Sequence, residues 1–486
     1  MATEPRVLAR NTTYFTLALI AQKVISFLYF TFLARLLVPE EIGKYIFALS
    51  FTTIFSVLID GGLGYVLTTE VAKARDKAQS YWQTIIGFKL VAMLAVIALV
   101  AGTINIMGYP EFTKQLVYIA SVVMVIDSLV LSAYSLLRAY QTLIWESIGT
   151  ILFQVVVAIV GISLAQVTQD IRVLVVALIV GGLVNLIYSW RQLKVRYRIR
   201  LLPKFSWQAL KPLLILAWPF GLALILTRIY GYLDTVLLSL LAGDRAVGFY
   251  GVAYKITFAF QFIPAAFAAS LLAGFSYYFA SAPQLLTRTF ERSVHYLSLL
   301  AVPLGVGVAL LAPELIRIIY PGYEQAVLPL QILMISLIFL FLTFPIGSLL
   351  SAGGRQRRNT VNLAITVIVS IILNLFLIPR YGPTGAAIAS LVSTVIYLGL
   401  GWVVAAKMIT INTRVILLNA FKVLISTLVM ALILYLIPAK FNVFIQVVVA
   451  MLVYGVMLLL IKGISLRELR DLVNLLFNRQ TITAQN

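Results

Sequence analysis

The strongest constraint on this chain is a succession of apolar runs, most of them about 20 residues or longer, that recurs from residue 12 to residue 462 with short polar joints between them. Hydrocarbon offers the backbone no hydrogen-bond partner. A chain of such runs can therefore fold only as helices, which satisfy their own N–H and C=O groups, or as a closed barrel. The runs match helices crossing a core of about 30 Å, whereas barrel strands would appear as segments of about ten alternating residues. Charged residues make up only 11% of the 486, and 62% are hydrophobic, which no soluble globular domain sustains. The sequence reads as an all-α integral membrane protein.

Fourteen spans are expected, at residues 12–37, 42–64, 82–106, 115–137, 146–166, 171–190, 211–241, 246–273, 292–319, 327–351, 359–379, 383–406, 415–437 and 443–462. The first is too long for the apolar segment of a signal peptide and lacks a small-residue cleavage site, so it is expected to stay in the membrane. With the N-terminus cytoplasmic, about 24 Lys and Arg fall in inner segments and about 7 in outer loops, and an even number of spans returns the C-terminus to the cytoplasm. The net charge of +20 is thus spent on topology and on anionic headgroups, not on nucleic acid.

The chain also repeats itself. At an offset of 205 residues, Lys23 to Ala48 falls on Arg228 to Ala253, matching Leu28/Leu233, Leu33/Leu238, Leu36/Leu241, Gly43/Gly248, Tyr45/Tyr250 and Ala48/Ala253. Ser135-Leu-Leu-Arg-Ala139 then matches Ser348-Leu-Leu-Ser-Ala352 at an offset of 213. A repeat of six spans, an even number, gives two copies of the same orientation, related by a pseudo-twofold along the membrane normal and facing each other across a cavity. The organisation expected is an N-terminal lobe at 1–190, a basic cytoplasmic linker at 191–210, a C-terminal lobe at 211–406, a further helix pair at 407–462 and a tail at 463–486. Ser465-Leu-Arg-Glu468 has the form of a capping box for a short amphipathic helix in that tail, and residues 480–486 are expected to be disordered. Pro219, Pro264 and Pro303 fall inside spans, where each removes a helix hydrogen bond. Gly385, Ala389 and Ser393 recur every four residues, a pattern that admits a close backbone neighbour.

Charges inside spans need a reason, because one at mid-bilayer costs roughly 2.5 to 3.5 kcal/mol. Lys23 and Arg228 are repeat equivalents that both lie near mid-span. Either they face the cavity as an anion site or each is paired with a carboxylate such as Asp127 or Asp234. Lys255 is a third cation, and Tyr232 shares a helix face with Arg228 by i, i+4 spacing. Aromatic rings stack on sugars and a guanidinium grips phosphate bidentately, so the substrate-binding set is Lys23, Arg228, Lys255 and Tyr232. Lys89 and Lys422 lie nearer span ends and read as snorkelling. Asp60, Asp127 and Asp234 are candidates for coupling to H+ or Na+, or for salt bridges. There is no cysteine, a single histidine (His295, read as structural), and no G-x-x-x-x-G-K-[ST] run. Multi-histidine or thiolate metal sites and an intrinsic ATPase are therefore excluded, and no cofactor is expected.

Ala34-Arg-Leu-Leu-Val-Pro-Glu-Glu-Ile-Gly-Lys-Tyr45, Asp60-Gly-Gly-Leu-Gly64, Gly243-Asp-Arg-Ala-Val-Gly-Phe-Tyr250 and the segment Asn374 to Ala389 together resemble the polysaccharide and O-antigen flippases of the multidrug, oligosaccharidyl-lipid and polysaccharide exporter (MOP) superfamily, over roughly residues 8 to 462. The resemblance implies fourteen helices around a cationic cavity. It also implies alternating-access transfer of an undecaprenyl-pyrophosphate-linked oligosaccharide to the outer leaflet of the cell inner membrane, in company with membrane lipids and a polysaccharide polymerase. Two relatives are alternatives: a flippase for the lipid-linked peptidoglycan precursor and a multidrug antiporter. A membrane glycosyltransferase would need an acidic catalytic cluster near an interface, and the sequence has no such cluster with supporting motifs.

Overall fold

The computed structural model describes residues 5–437 and 442–464, and every regular element among them is helical. In chain order the α-helices are α1 (Pro5–Leu36), α2 (Pro39–Asp60), α3 (Leu63–Lys73), α4 (Ala78–Ile106), α5 (Glu111–Ala139), α6 (Leu143–Val167), α7 (Ile171–Tyr197) and α8 (Trp207–Ala242). They continue with α9 (Asp244–Ala259), α10 (Phe262–Ser281), α11 (Pro283–Leu310), α12 (Ala312–Ile319), α13 (Val327–Ala352), α14 (Gln356–Ala406), α15 (Thr413–Leu436) and α16 (Val443–Leu460). The tail helix expected at 465–476 and the disorder expected at 480–486 lie outside the described residues.

Local chemistry sets many of the starts. Asp170, Ser206, Asn412 and Asn442 each accept a backbone N–H of the first turn they precede, and Pro39 and Pro283 sit where the missing N–H would be unpaired in any case. Thirteen helices among the described residues are long and apolar enough to cross a membrane, and the protein is multi-pass. One of them, α14, has 51 residues, about 77 Å at the helical rise and far beyond one bilayer core. It breaks at Gly382 (φ 54°, ψ −129°), with Pro379 and Pro383 on either side. Beyond the break the chain turns back, so that Gly385 packs on the backbone of Leu377. The two spans expected at 359–379 and 383–406 are thus both present, and the spans among the described residues come to fourteen.

Two expected boundaries are corrected. The second span ends at Asp60 and not at residue 64, because Gly61 and Gly62 both take positive φ (53° and 84°), which terminates α2 and lets α3 leave in a new direction. The span expected at 246–273 lies within one candidate span, Asp244–Ser281, which breaks at Phe260–Gln261 into α9 and α10. Pro264, with no N–H to give to the carbonyl four residues back, lies just beyond that break.

By packing, the chain divides into two compact units, residues 1–262, 319–329 and 363–390 in one, and residues 263–318, 330–362 and 391–486 in the other. This is a division by contact, distinct from the division by repeat. In the first unit, α2 packs against α5, α8 and α9, and α7 packs on both α5 and α6. The core of the second is built around Phe275, Phe290, Leu349 and Leu350, with α11, α15 and α16 packed together. His295 meets the Gly463 carbonyl there at 3.0 Å, consistent with a structural role.

Candidate functional site: a mixed-charge cavity

The first unit holds a partly open cavity of about 600 Å³. Helical periodicity explains its walls. Leu49, Thr52, Thr53, Ser56 and Asp60 form one face of α2; Met124, Asp127, Leu131 and Ser135 form one face of α5; Leu224, Arg228 and Tyr232 form one face of α8. In the turn after α2, Gly62 leaves no room for a Cβ against the α8 backbone at Ala217 and Gly221, and Tyr65 of α3 stacks on Phe220 at 3.9 Å between centroids.

Arg228, Tyr232, Asp60 and Asp127, all singled out from the sequence, line this space together. Asp127 is exposed to it. Among the described residues, neither Asp127 nor Arg228 forms a salt bridge. Asp60 does. Its Oδ1 lies 2.7 Å from Lys89 Nζ, which also donates to Ser132 Oγ at 2.7 Å and to the Ser128 carbonyl at 3.3 Å. Lys89 is fully buried (0% exposed), so the reading of this side chain as snorkelling is wrong. A buried ammonium needs a counter-charge and three acceptors, and Asp60, Ser128 and Ser132 supply them.

Lys23 and Lys255 lie elsewhere, outside the cavity lining. Lys23 Nζ sits 4.1 Å from the centre of the Phe258 ring. Lys255 Nζ sits 5.0 Å from that of Phe30 and donates to Ser26 Oγ at 3.1 Å. The arrangement is reciprocal, since each lysine rests on a ring of the opposite helix, α1 or α9. Lys23 is thus grouped with Lys255 and not with its repeat equivalent Arg228. Asp234 makes a third cluster, accepting from Asn374 Nδ2 (2.8 Å), Tyr250 Oη (3.2 Å) and Ser370 Oγ (3.3 Å). The Asn374 side-chain oxygen is buried with no hydrogen-bond partner among the described residues.

Lys89, Arg138 and Asn374 escaped the sequence reading as site residues. Arg138 borders the cavity and is held by both carboxylate oxygens of Glu146. Ser128/Ser132 and Ser370/Asn374, each pair four residues apart inside an apolar span, were the available signals of polar faces awaiting a partner.

The model of the family described as "Polysaccharide biosynthesis protein" matches residues 8–275, more than half of the chain. The chain belongs to this family. The model of a second family, MatE, matches residues 219–376. A Haloferax volcanii protein described as flippase AglR is 28% identical over 170 residues, 34% of this chain and 35% of that one. A Shigella dysenteriae protein described as an O-antigen transporter is 26% identical over 215 residues, 43% of this chain and 52% of that one. The matched stretches therefore span about half or less of these relatives. In fold, the chain is similar to the lipid II flippase MurJ in an inward closed conformation, with a TM-score of 0.77 over 94% of this chain and 99% of that one at 18% identity. The fold is therefore MurJ-like, a helical membrane architecture of the kind the resemblance implied.

Proposed function

We propose that this protein is a flippase for a polyprenyl-diphosphate-linked oligosaccharide, working in the cell inner membrane with both termini cytoplasmic. The observation that carries the reading is Arg228, a guanidinium without a salt bridge in a cavity lined mainly by neutral polar and apolar side chains. A diphosphate is the anion such a group grips, and the hydroxyl-lined remainder suits a glycan. Lys23 and Lys255 offer a second cationic point, with the diphosphate engaging one before the other.

Movement is by alternating access of the two repeat-related lobes, 1–190 and 211–406. The reciprocal contact between the repeat equivalents Gly43 and Gly248 supports a twofold relation, because equivalent residues touch where such an axis passes. Asp234, with Tyr250, Ser370 and Asn374 around it, is the proposed coupling site for a proton or sodium ion.

One observation favours drug export instead: Asp127, a carboxylate exposed in the same cavity, suits an organic cation. Deleting the gene separates these readings. Accumulation of a lipid-linked oligosaccharide on the cytoplasmic face supports the proposal, accumulation of the peptidoglycan precursor points to that substrate, and sensitivity to cationic drugs with normal lipid intermediates overturns it.

A further inference from the structure

The polar groups of the cavity are sorted by hydrogen-bond sense. Thr53 Oγ1 donates to the Leu49 carbonyl at 2.6 Å and Ser56 Oγ to the Thr53 carbonyl at 2.7 Å. Thr68 Oγ1 donates to the Ser135 carbonyl at 2.9 Å, and Ser135 Oγ to that of Leu131 at 2.9 Å. A hydroxyl has one proton, and in each of these it is committed to the backbone. What remains for a ligand is lone pairs. The carboxylate form of Asp127 also only accepts. The faces of α2 and α5 therefore form a wall of acceptors, while Arg228 on α8 only donates.

We propose that the wall carrying Thr53, Ser56 and Asp127 is a carbohydrate subsite that reads sugar hydroxyls as donors, separate from the diphosphate grip at Arg228. It rests on the flippase reading above. A diphosphate offers acceptors alone and is repelled by this wall. A glycan offers many hydroxyl donors without net charge and is complementary to it, and a vicinal diol can give both protons to one carboxylate. An organic cation would answer to Asp127 but has no use for Thr53 and Ser56. The subsite is thus where one glycan is told from another, since its acceptors sit at fixed heights along α2 and α5.

The test uses the full-length protein in lipid nanodiscs and three probes. These are the polyprenyl-diphosphate oligosaccharide pool extracted from cells lacking the gene, the same pool stripped of sugar to bare polyprenyl diphosphate, and tetraphenylphosphonium. The wild type is expected to bind the glycosylated pool at least about tenfold more tightly than the bare carrier. Thr53→Val with Ser56→Ala, and separately Asp127→Asn, should each remove most of that preference by weakening the glycosylated pool; the α2 double variant leaves bare-carrier affinity within about twofold, and Asp127→Asn, which removes a repelling charge, does not weaken it. Thr53→Val keeps the side-chain shape, so a folded variant is available even if Asp127→Asn misfolds. A wild type that does not prefer the glycosylated pool, variants that keep the preference, or equal weakening toward both lipids overturns the subsite. Arg228→Ala should weaken both lipids alike; if it weakens neither, the diphosphate reading fails while the sugar preference still judges the wall. Tetraphenylphosphonium binding lost in Asp127→Asn, with the α2 double variant silent, assigns the cavity to cations and also overturns the proposal.

Discussion

Gly43 on α2 and Gly248 on α9 pack backbone against backbone: a Cβ on Gly43 would strike the Asp244 carbonyl oxygen, and one on Gly248 would strike that of Pro39. Both pairs are related by the same 205-residue offset that the sequence carries. Gly43→Ala or Gly248→Ala should force the two helices apart, at about 1 to 3 kcal/mol, and lower polysaccharide export about tenfold with normal membrane insertion. The double variant should be little worse than either single one, because the first methyl already breaks the contact. Export assays beside immunoblots of the membrane fraction check this, and unimpaired export would remove the contact from the transport cycle.

The Lys89–Asp60 pair is a second closed geometry. Lys89→Met leaves a carboxylate without its ammonium and should destabilise the protein by about 3 to 5 kcal/mol. Lys89→Met with Asp60→Asn should recover most of the loss. Thermal unfolding midpoints of the purified variants in detergent decide it, and a double variant as poor as the single would mean that the pair is not what Lys89 contributes.

How far the sequence could be read is clear from these two cases. Spans were legible because a bilayer demands length and apolarity along one dimension, and even the reversal at Gly382 was marked by Pro379 and Pro383. What could not be read was convergence. The partners of Lys89 come from two other helices, Asp60 at the end of α2 and Ser128/Ser132 on α5, and no spacing rule joins them. Lys23 and Arg228 were set together by repeat symmetry, yet Lys23 turns to Phe258 while the Arg228 face of α8 turns to α2 and α5. The repeat fixes which residues are equivalent, and packing decides which of them meet.

Asp170 caps α7 and chelates Arg172, whose side-chain hydrogen bond holds the Asp170 carboxyl below its ordinary range. A carboxyl depressed in the folded state stabilises the fold above its unfolded value of about 3.9, and that contribution is lost as pH falls through the folded value. Asp170→Ala should cost about 1 kcal/mol at neutral pH and less once the wild-type carboxyl is protonated and no longer pairs with Arg172. Comparing thermal midpoints of the two proteins from pH 7 down to pH 3 tests the sign, and a gap that widened on acidification would contradict it.

Asp234→Asn should abolish any dependence of transport on an ion gradient while keeping the hydrogen bonds to Asn374 and Ser370 largely intact. Reconstituted vesicles with the proton and sodium gradients collapsed separately provide the measurement. Wild-type transport indifferent to both gradients would remove Asp234 from coupling altogether.

The central claim is that Arg228 holds the diphosphate of a lipid-linked oligosaccharide in the cavity of the first unit. Its most direct test is to complement cells lacking the gene with the wild type, Arg228→Lys or Arg228→Ala, and to quantify lipid-linked oligosaccharide on the cytoplasmic face. The account predicts clearance by the wild type, partial clearance by Arg228→Lys, and accumulation at or near the level of the deletion in Arg228→Ala. Full clearance by a normally inserted Arg228→Ala protein would contradict it.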